Sequence, residues 1–311
     1  MTINQAPLLS KAYIHYPQFR YRDEQKLLWN PILKRTFKNR PEERVRLQLI
    51  DYLILEANFS AHRISFESPV KLVGEKSVSR TDIICYTKDF EPHLLVECKA
   101  PDITLNEKTA LQIARYNQQV GAPFLLVSNG MLDFWFHIEK EQVYQLSKIP
   151  ALFAPSSNTE YSFSYWTQRA FAGNKSHPES RGFIRGLCRR LFKDTLKPIK
   201  FLAFEDTPSE LALTNYYRIF DQGDDYKIAL TLSATPYGGS RLNAILHKDG
   251  ANVAFLSTSL DLIAEHQPDN THLQSAQGVI TLDLKDRIDF NFDMNTSQLI
   301  TGLKKILIEN S

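Results

Sequence analysis

Two carboxylates and an ammonium fall close together between Arg80 and Ala100, in R-T-D-I-I-C-Y-T-K-D-F-E-P-H-L-L-V-E-C-K-A. Asp82 opens one apolar run, and Glu97-Cys98-Lys99 closes the next. A pair of such acids binds a hard cation such as Mg²⁺ through oxygen and leaves waters on it. The cation lowers the pKa of a bound water and stabilises charge on a phosphoryl oxygen. A lysine beside it adds a point charge where the phosphate becomes more negative. The chemistry suggested is hydrolysis of a phosphate ester. A lone Glu-x-Lys is common at wet strand ends and would carry no such meaning. Here the acids flank runs apolar enough to demand a buried sheet, and unpaired charge near a core is costly.

These side chains need elements to position them. Asp82–Tyr86 and His93–Lys99 have the composition of buried strands bounded by turn residues. Alternation puts Glu97 and Lys99 on one face, Val96 and Cys98 on the other. Antiparallel pairing of the two strands would bring Asp82 beside Glu97. Residues 42–57 read as a helix, with Pro41 at its start and Glu42 and Glu43 near the positive end of its dipole. Glu42 shares a face with Val45, Leu49 and Leu53, the face expected to look at the sheet. Residues 62–73 read as the first strand, with Gly74-Glu75-Lys76 as the turn after it. Asn106–Gln119 read as a second helix carrying Leu111, Ile113 and Ala114, with Gln112 and Tyr116 one turn apart. An Asn129-Gly130 turn leads into Asp133–Ile138, expected as a final edge strand. The order α-β-β-β-α-β-β suits an α/β fold with a mixed sheet flanked by helices.

The pattern resembles the PD-(D/E)xK nuclease superfamily, with Asp82 as the Asp and Glu97-Cys98-Lys99 as the E-x-K. More narrowly it is similar to the N-terminal nuclease domain of type I restriction enzyme R subunits, in its stand-alone bacterial form. Arg40-Pro41-Glu42-Glu43-Arg44-Val45-Arg46 and the following Leu47 to Asp51 are similar to that family's acid-bearing first helix. Gln112-Ile113-Ala114-Arg115-Tyr116 is similar to the Q-x-x-x-Y of the RecB-like branch, and Pro123 to Gly130 to the strand that ends in Asn-Gly. Thr81 stands where the superfamily's name has Pro, at a variable position. The resemblance implies a restriction-endonuclease-like fold and a metal-dependent DNA nuclease. Asp82 and Glu97 would hold Mg²⁺, or Mn²⁺ in its place, aided by the Cys98 carbonyl. Lys99 would orient the attacking water and stabilise the transition state. Glu42, with Glu43 as the alternative, would help position the metal. Gln112 would hydrogen-bond near the site, Tyr116 would fix its helix there, and Arg80 and Arg115 would meet DNA phosphates. The competing reading is a nuclease-fold nucleic-acid-binding or interaction module without its own cleavage.

The remainder of the chain frames this centre. At 311 residues it is long enough for two cores, and its formal charge of +2 leaves nucleic-acid binding to local patches. No apolar run approaches a membrane span, no signal-peptide pattern opens the chain, and no G-x-x-x-x-G-K-[ST] supplies an ATP motor. Cys85, Cys98 and Cys188 show no disulfide or metal spacing, which suits a cytoplasmic protein. Residues 1–37 read as an N-terminal arm whose Tyr13, Tyr16, Phe19 and Tyr21 pack against the nuclease domain. Their interleaving with Arg20, Arg22 and Lys26 leaves base stacking as the alternative.

The nuclease domain is expected over residues 38–150, and a β-rich α+β accessory domain over 151–311, with the boundary at Pro150–Asn158. Within the latter, Ser180–Leu196 reads as a helix with an apolar stripe of Ile184, Leu187, Cys188 and Leu191. Its basic residues Arg181, Arg185, Arg189, Lys193 and Lys197 recur every fourth position. That stripe is either a solvated face or a nucleic-acid patch. Strands are expected at 216–220, 226–232, 242–246 and 253–256. Val279–Leu284 and Arg287–Phe292 are expected to pair as a hairpin, and a helix at 297–308 follows. Asp221, Asp224 and Asp225 match no calcium loop and read as turn residues. The accessory domain suits targeting, dimerisation or substrate gripping. DNA is the expected partner, while a homodimer and an activating partner protein stay open.

Overall fold

The computed structural model describes residues 3–71, 79–140, 142–156, 161–193, 198–204 and 207–311. The chain forms two compact units, one of Met1–Gln18 and Leu27–Glu160, the other of Phe19–Lys26 and Tyr161–Ser311. Residues 1–37 are thus divided between the units rather than forming an arm of their own. Tyr13, Tyr16 and Phe19 are buried. The turn at 74–76, the end of the basic helix at 194–197 and Asn158 lie outside the described residues.

The first unit is built on a seven-stranded mixed sheet. Its strands are β1 (Leu8–Leu9), β2 (Ile64–Phe66), β3 (Ile83–Tyr86), β4 (Pro92–Cys98), β5 (Phe124–Ser128), β6 (Leu132–Glu139) and β7 (Gln142–Leu146). The order is β1-β6-β5-β4-β3-β2, with β7 also on β6. β4 and β5 run parallel, and the other neighbours are antiparallel. Helix α2 (Glu107–Val120) makes the crossover between β4 and β5 that a parallel pair requires. The Asn106 side chain caps α2 by accepting from Lys108 and Thr109 N–H, and Gly121 ends it at φ 73°. Ala110 and Ile113 of α2 join Ile84, Leu95, Leu125, Val127, Phe134 and Phe136 in one buried cluster. That cluster identifies the sheet face carrying Leu95, and by alternation Glu97 and Lys99.

Helix α1 (Pro41–Leu55) packs on β4. It is buried on more sides than the expected single apolar stripe, because its polar residues have internal partners. Gln48 donates to the His15 carbonyl, Asp51 pairs with His15, and Glu43 pairs with Arg46. Two further expectations are corrected. The strand read over 62–73 is short and broken. Residues 61–63 form a 3-10 turn, Glu67 takes φ 53°, and Pro69, which has no N–H, opens a separate two-residue strand with Val70. Asp133–Ile138 does not lie at a sheet edge, since β1 covers Leu132 and Asp133 and β7 covers Trp135 to Glu139.

The second unit carries a seven-stranded antiparallel meander. Its strands are β8 (Ile199–Leu202), β9 (Asn215–Asp221), β10 (Tyr226–Ala234), β11 (Ser240–Lys248), β12 (Ala251–Ser259), β13 (Thr271–Ser275) and β14 (Gly278–Leu282), each paired to the next. The Asp221 to Asp225 segment is a turn, with Gly223, Asp224 and Asp225 all at positive φ. Helices α3 (Phe163–Gln168), α4 (Pro178–Phe192), α5 (Leu260–Ala264) and α6 (Thr296–Glu309) accompany the sheet. Ile184, Leu187, Cys188 and Leu191 of α4 are fully buried, as the stripe predicts.

The hairpin expected between Val279–Leu284 and Arg287–Phe292 does not form. β14 pairs instead with β13, and the chain leaves the ladder at Asp283. The Asp283 carboxylate accepts from the Asn270 side chain and the Lys285 N–H. The Arg287 and Ile288 N–H groups then turn back to the Leu284 carbonyl. Phe290 and Phe292 pack on Phe183 of α4 rather than alternating along a strand.

Candidate active site

The register of β3 on β4 sets the geometry. Ile83 lies opposite Val96, so one step further Asp82 comes opposite Glu97. Asp82 sits at the bend before β3 and is almost fully buried. Its Oδ2 accepts the Cys98 backbone N–H at 2.6 Å, and its Oδ1 meets Arg46 Nη2 at 2.8 Å. Glu97 is equally buried near the end of β4. Its Oε1 accepts from Lys99 Nζ at 2.7 Å and from Gln112 Nε2 at 2.8 Å. Lys99 Nζ also donates to Gln112 Oε1 at 3.1 Å, and Gln112 Nε2 to Tyr116 Oη at 3.4 Å. Glu97, Lys99, Gln112 and Tyr116 therefore form one network across β4 and α2, next to Asp82. Tyr116 also packs on the core cluster beneath.

Electrostatics follow from burial. Desolvation, then repulsion from Glu97, pushes the Asp82 carboxyl up to about 7, against the pull of Arg46 and the Cys98 N–H. Burial also raises Glu97, opposed by the Lys99 ammonium and reinforced by the Glu42 charge. Burial alone would lower Lys99, but the Glu97 bond and charge outweigh it, so Lys99 is raised and stays a cation at neutral pH. The Cys98 thiol is fully buried and pushed well above its ordinary value, first by desolvation, then by Asp82. It is no nucleophile.

The two helix acids take different places. Glu42 is partly exposed, and its charge acts on Asp82, Glu97 and Lys99. Glu43 is buried and turned to Arg46 and Glu67, and desolvation followed by the Glu67 and Glu42 charges raises it despite Arg46. Arg46 and Glu67 are site residues that the pattern did not single out. Arg46 had a visible signal, because it follows Glu42 by four and Glu43 by three and so shares their helix face. Glu67 had none, since its place depends on the break in the first strand.

The expected phosphate contacts are spread more widely. Arg80 is exposed in a short strand paired with Pro69, and Arg115 is exposed on α2. In the second unit Arg185 and Arg189 are exposed on α4, with no ion-pair partner among the described residues. Arg181 Nε donates to the Ser176 carbonyl, and Lys193 Nζ lies 3.5 Å from the centre of the Tyr161 ring. The four-residue basic repeat is thus open at Arg185 and Arg189 and partly engaged at Arg181 and Lys193, while Lys197 lies outside the described residues.

Among the described residues no group of three or more His, Cys, Asp or Glu is arranged to hold a metal ion. Side-chain oxygens for a cation would come from Asp82 and Glu97, with main-chain oxygen and water completing the set, as hard cations accept. The donor chemistry fits, since both are oxygen acids whose burial and mutual repulsion a cation would relieve.

The mixed α/β fold thus sets two buried acids and a lysine beside the end of a parallel strand pair. Residues 41–150 match the family model of the type I restriction enzyme R protein N terminus. The match spans about a third of the 311 residues, all within the first unit. A search of curated proteins finds no match.

Proposed function

We propose that the domain at residues 41–150 hydrolyses phosphodiester bonds in DNA with Mg²⁺, or Mn²⁺ in its place, in restriction of foreign DNA. The observation that carries the reading is the convergence of Asp82, Glu97 and Lys99 through the β3–β4 register, with Lys99 Nζ 2.7 Å from Glu97. When bound, the cation supplies an acidified water and neutralises developing charge on the phosphoryl oxygen. Asp82 and Glu97 would hold it. Lys99 is a cation whose pKa the Glu97 bond and charge raise. It orients water through its N–H groups and stabilises the negative charge that builds on phosphorus oxygens. Gln112 keeps Lys99 and Glu97 in register with each other. Three free, buried cysteines suit a reducing cytoplasm.

A second reading is a nucleic-acid-binding module without cleavage. The observation favouring it is that Asp82 already meets a cation in Arg46. One experiment separates the two. Purified protein is incubated with plasmid, linear duplex and single-stranded DNA, with Mg²⁺, Mn²⁺ or EDTA. Metal-dependent cleavage that disappears in Asp82→Ala and in Glu97→Ala is expected. Binding with no cleavage under any condition selects the second reading, and full activity in either variant removes this site from the chemistry.

A further inference from the structure

Arg46 has no part in the chemistry above, yet it lies among the acids of this centre. Its Nη2 is 2.8 Å from Asp82 Oδ1 and 3.9 Å from Glu42 Oε1. Its Nη1 bonds to Glu43 Oε1 and lies 3.4 Å from Glu67 Oε1. The side chain is only 13 % exposed. Five carboxylates, Glu42, Glu43, Glu67, Asp82 and Glu97, thus face three cations, Arg46, Lys99 and Arg35, the last 3.6 Å from Glu67. A guanidinium is never deprotonated here, so its charge is fixed.

We propose that Arg46 is a built-in counter-cation that competes with a divalent metal for Asp82. In the metal-free protein its fork neutralises Asp82, and on metal loading it gives up Asp82 Oδ1 while keeping Glu43 and Glu67. The inference rests on Asp82 and Glu97 being the metal's ligands. The alternative role is positioning, with Arg46 holding the Asp82 carboxylate at the correct angle. The structure argues against that need, because the Cys98 N–H already fixes Oδ2 at 2.6 Å. What Arg46 adds is charge, placed 2.8 Å from Oδ1, the Asp82 oxygen that the Cys98 N–H leaves to a cation. Like charges at such range oppose one another strongly in a buried setting. The fork suits exchange, since Nη1 has its own partners in Glu43 and Glu67, and Nη2 has Glu42 within 3.9 Å besides Asp82.

The two roles predict opposite signs. If Arg46 competes, Arg46→Met binds metal more tightly than wild type by about tenfold or more, the size of one nearby unit charge. Arg46→Lys, which keeps the charge but loses the fork, falls between. If Arg46 positions Asp82, the order reverses. The test titrates Ca²⁺ and Mg²⁺ into the full chain without DNA, by calorimetry and by the rise in Tm with metal concentration. Asp82→Asn serves as the control. Wild-type binding with tighter binding in Arg46→Met is the expected result. Wild-type binding with equal or weaker binding in Arg46→Met overturns the inference and leaves the nuclease reading standing. No binding by wild type, together with no cleavage, removes both. If circular dichroism shows Arg46→Met folded only with Ca²⁺ present, the counter-cation role is supported. If it is unfolded in both states, Arg46→Lys decides, and weaker binding than wild type overturns the proposal.

Discussion

Lys99 and Cys98 are sequence neighbours with opposite fates, because successive strand residues face opposite ways. Lys99 reaches Glu97 and Gln112 on the α2 side, while Cys98 is sealed in the core. Lys99→Ala is expected to lower the cleavage rate on the order of 10²-fold, as loss of one transition-state stabiliser does. Cys98→Ala should cleave nearly as wild type, since its carbonyl and its N–H to Asp82 are backbone groups. Gln112→Ala should lose about tenfold, the usual cost of removing a residue that orients a functional group. Single-turnover cleavage of a labelled duplex ranks the three, and a Cys98 variant worse than the Lys99 variant would reverse the assignment.

At the scale of elements, α1 connects the centre to the N-terminal segment. His15 is fully buried between Asp51 Oδ2 at 3.0 Å and Glu56 Oε1 at 3.3 Å. Burial alone would lower its pKa, but bonds and charge from Asp51 and Glu56 outweigh this and raise it above 6.5. A raised folded value means protonated His15 stabilises the fold fully below pH 6.5, and that contribution is lost as pH rises through the folded value. Burial raises Asp82 to about 7 and Asp133 to about 6, with the same sign, their loss beginning near the unfolded value of about 4. Tm of the metal-free protein should therefore fall from pH 5 to pH 8. His15→Gln should destabilise by about 3 kcal/mol at pH 6, because it leaves buried acids unpaired. It should also flatten the part of the profile above pH 6.5, and Asp82→Asn should flatten the part below. Thermal melts in EDTA across pH test both, and unchanged slopes would assign the pH dependence to other groups.

On the scale of the whole molecule, the proposed chemistry lies in one unit and the basic stripe of α4 in the other. Arg185 and Arg189 project from α4, whose Ile184, Leu187, Cys188 and Leu191 are anchored in the second unit's core. Each phosphate contact on duplex DNA contributes nearly one unit to the slope of log binding against log salt. Replacing both arginines by Gln should flatten that slope by roughly two units and weaken binding alike for all sequences. Adding Arg181→Gln should change less, because its Nε already serves the Ser176 carbonyl. Fluorescent-duplex titrations in Ca²⁺ across a salt series measure this. An unaltered slope would place DNA elsewhere, with Arg80 and Arg115 the next residues to change.

The local pattern of this chain was enough to place Asp82 beside Glu97, because strand alternation and a short turn between two apolar runs leave few registers. The same holds for Gln112 above Tyr116, set by helix pitch, and for the α4 stripe, where apolar spacing demanded a buried face. What the sequence could not decide depends on contacts distant along the chain. Strand β1, only two residues long, comes from the N-terminal segment to cover Leu132 and Asp133, which β7 does not reach. Phe290 and Phe292 were drawn to Phe183 although their alternation read as strand. Arg46 met Asp82 from 36 residues away, and Glu67 joined them only because the first strand breaks at φ 53°. Periodicity reports which face of an element is buried. Which charges then share the buried space depends on how helix and sheet pack, and that is decided in three dimensions.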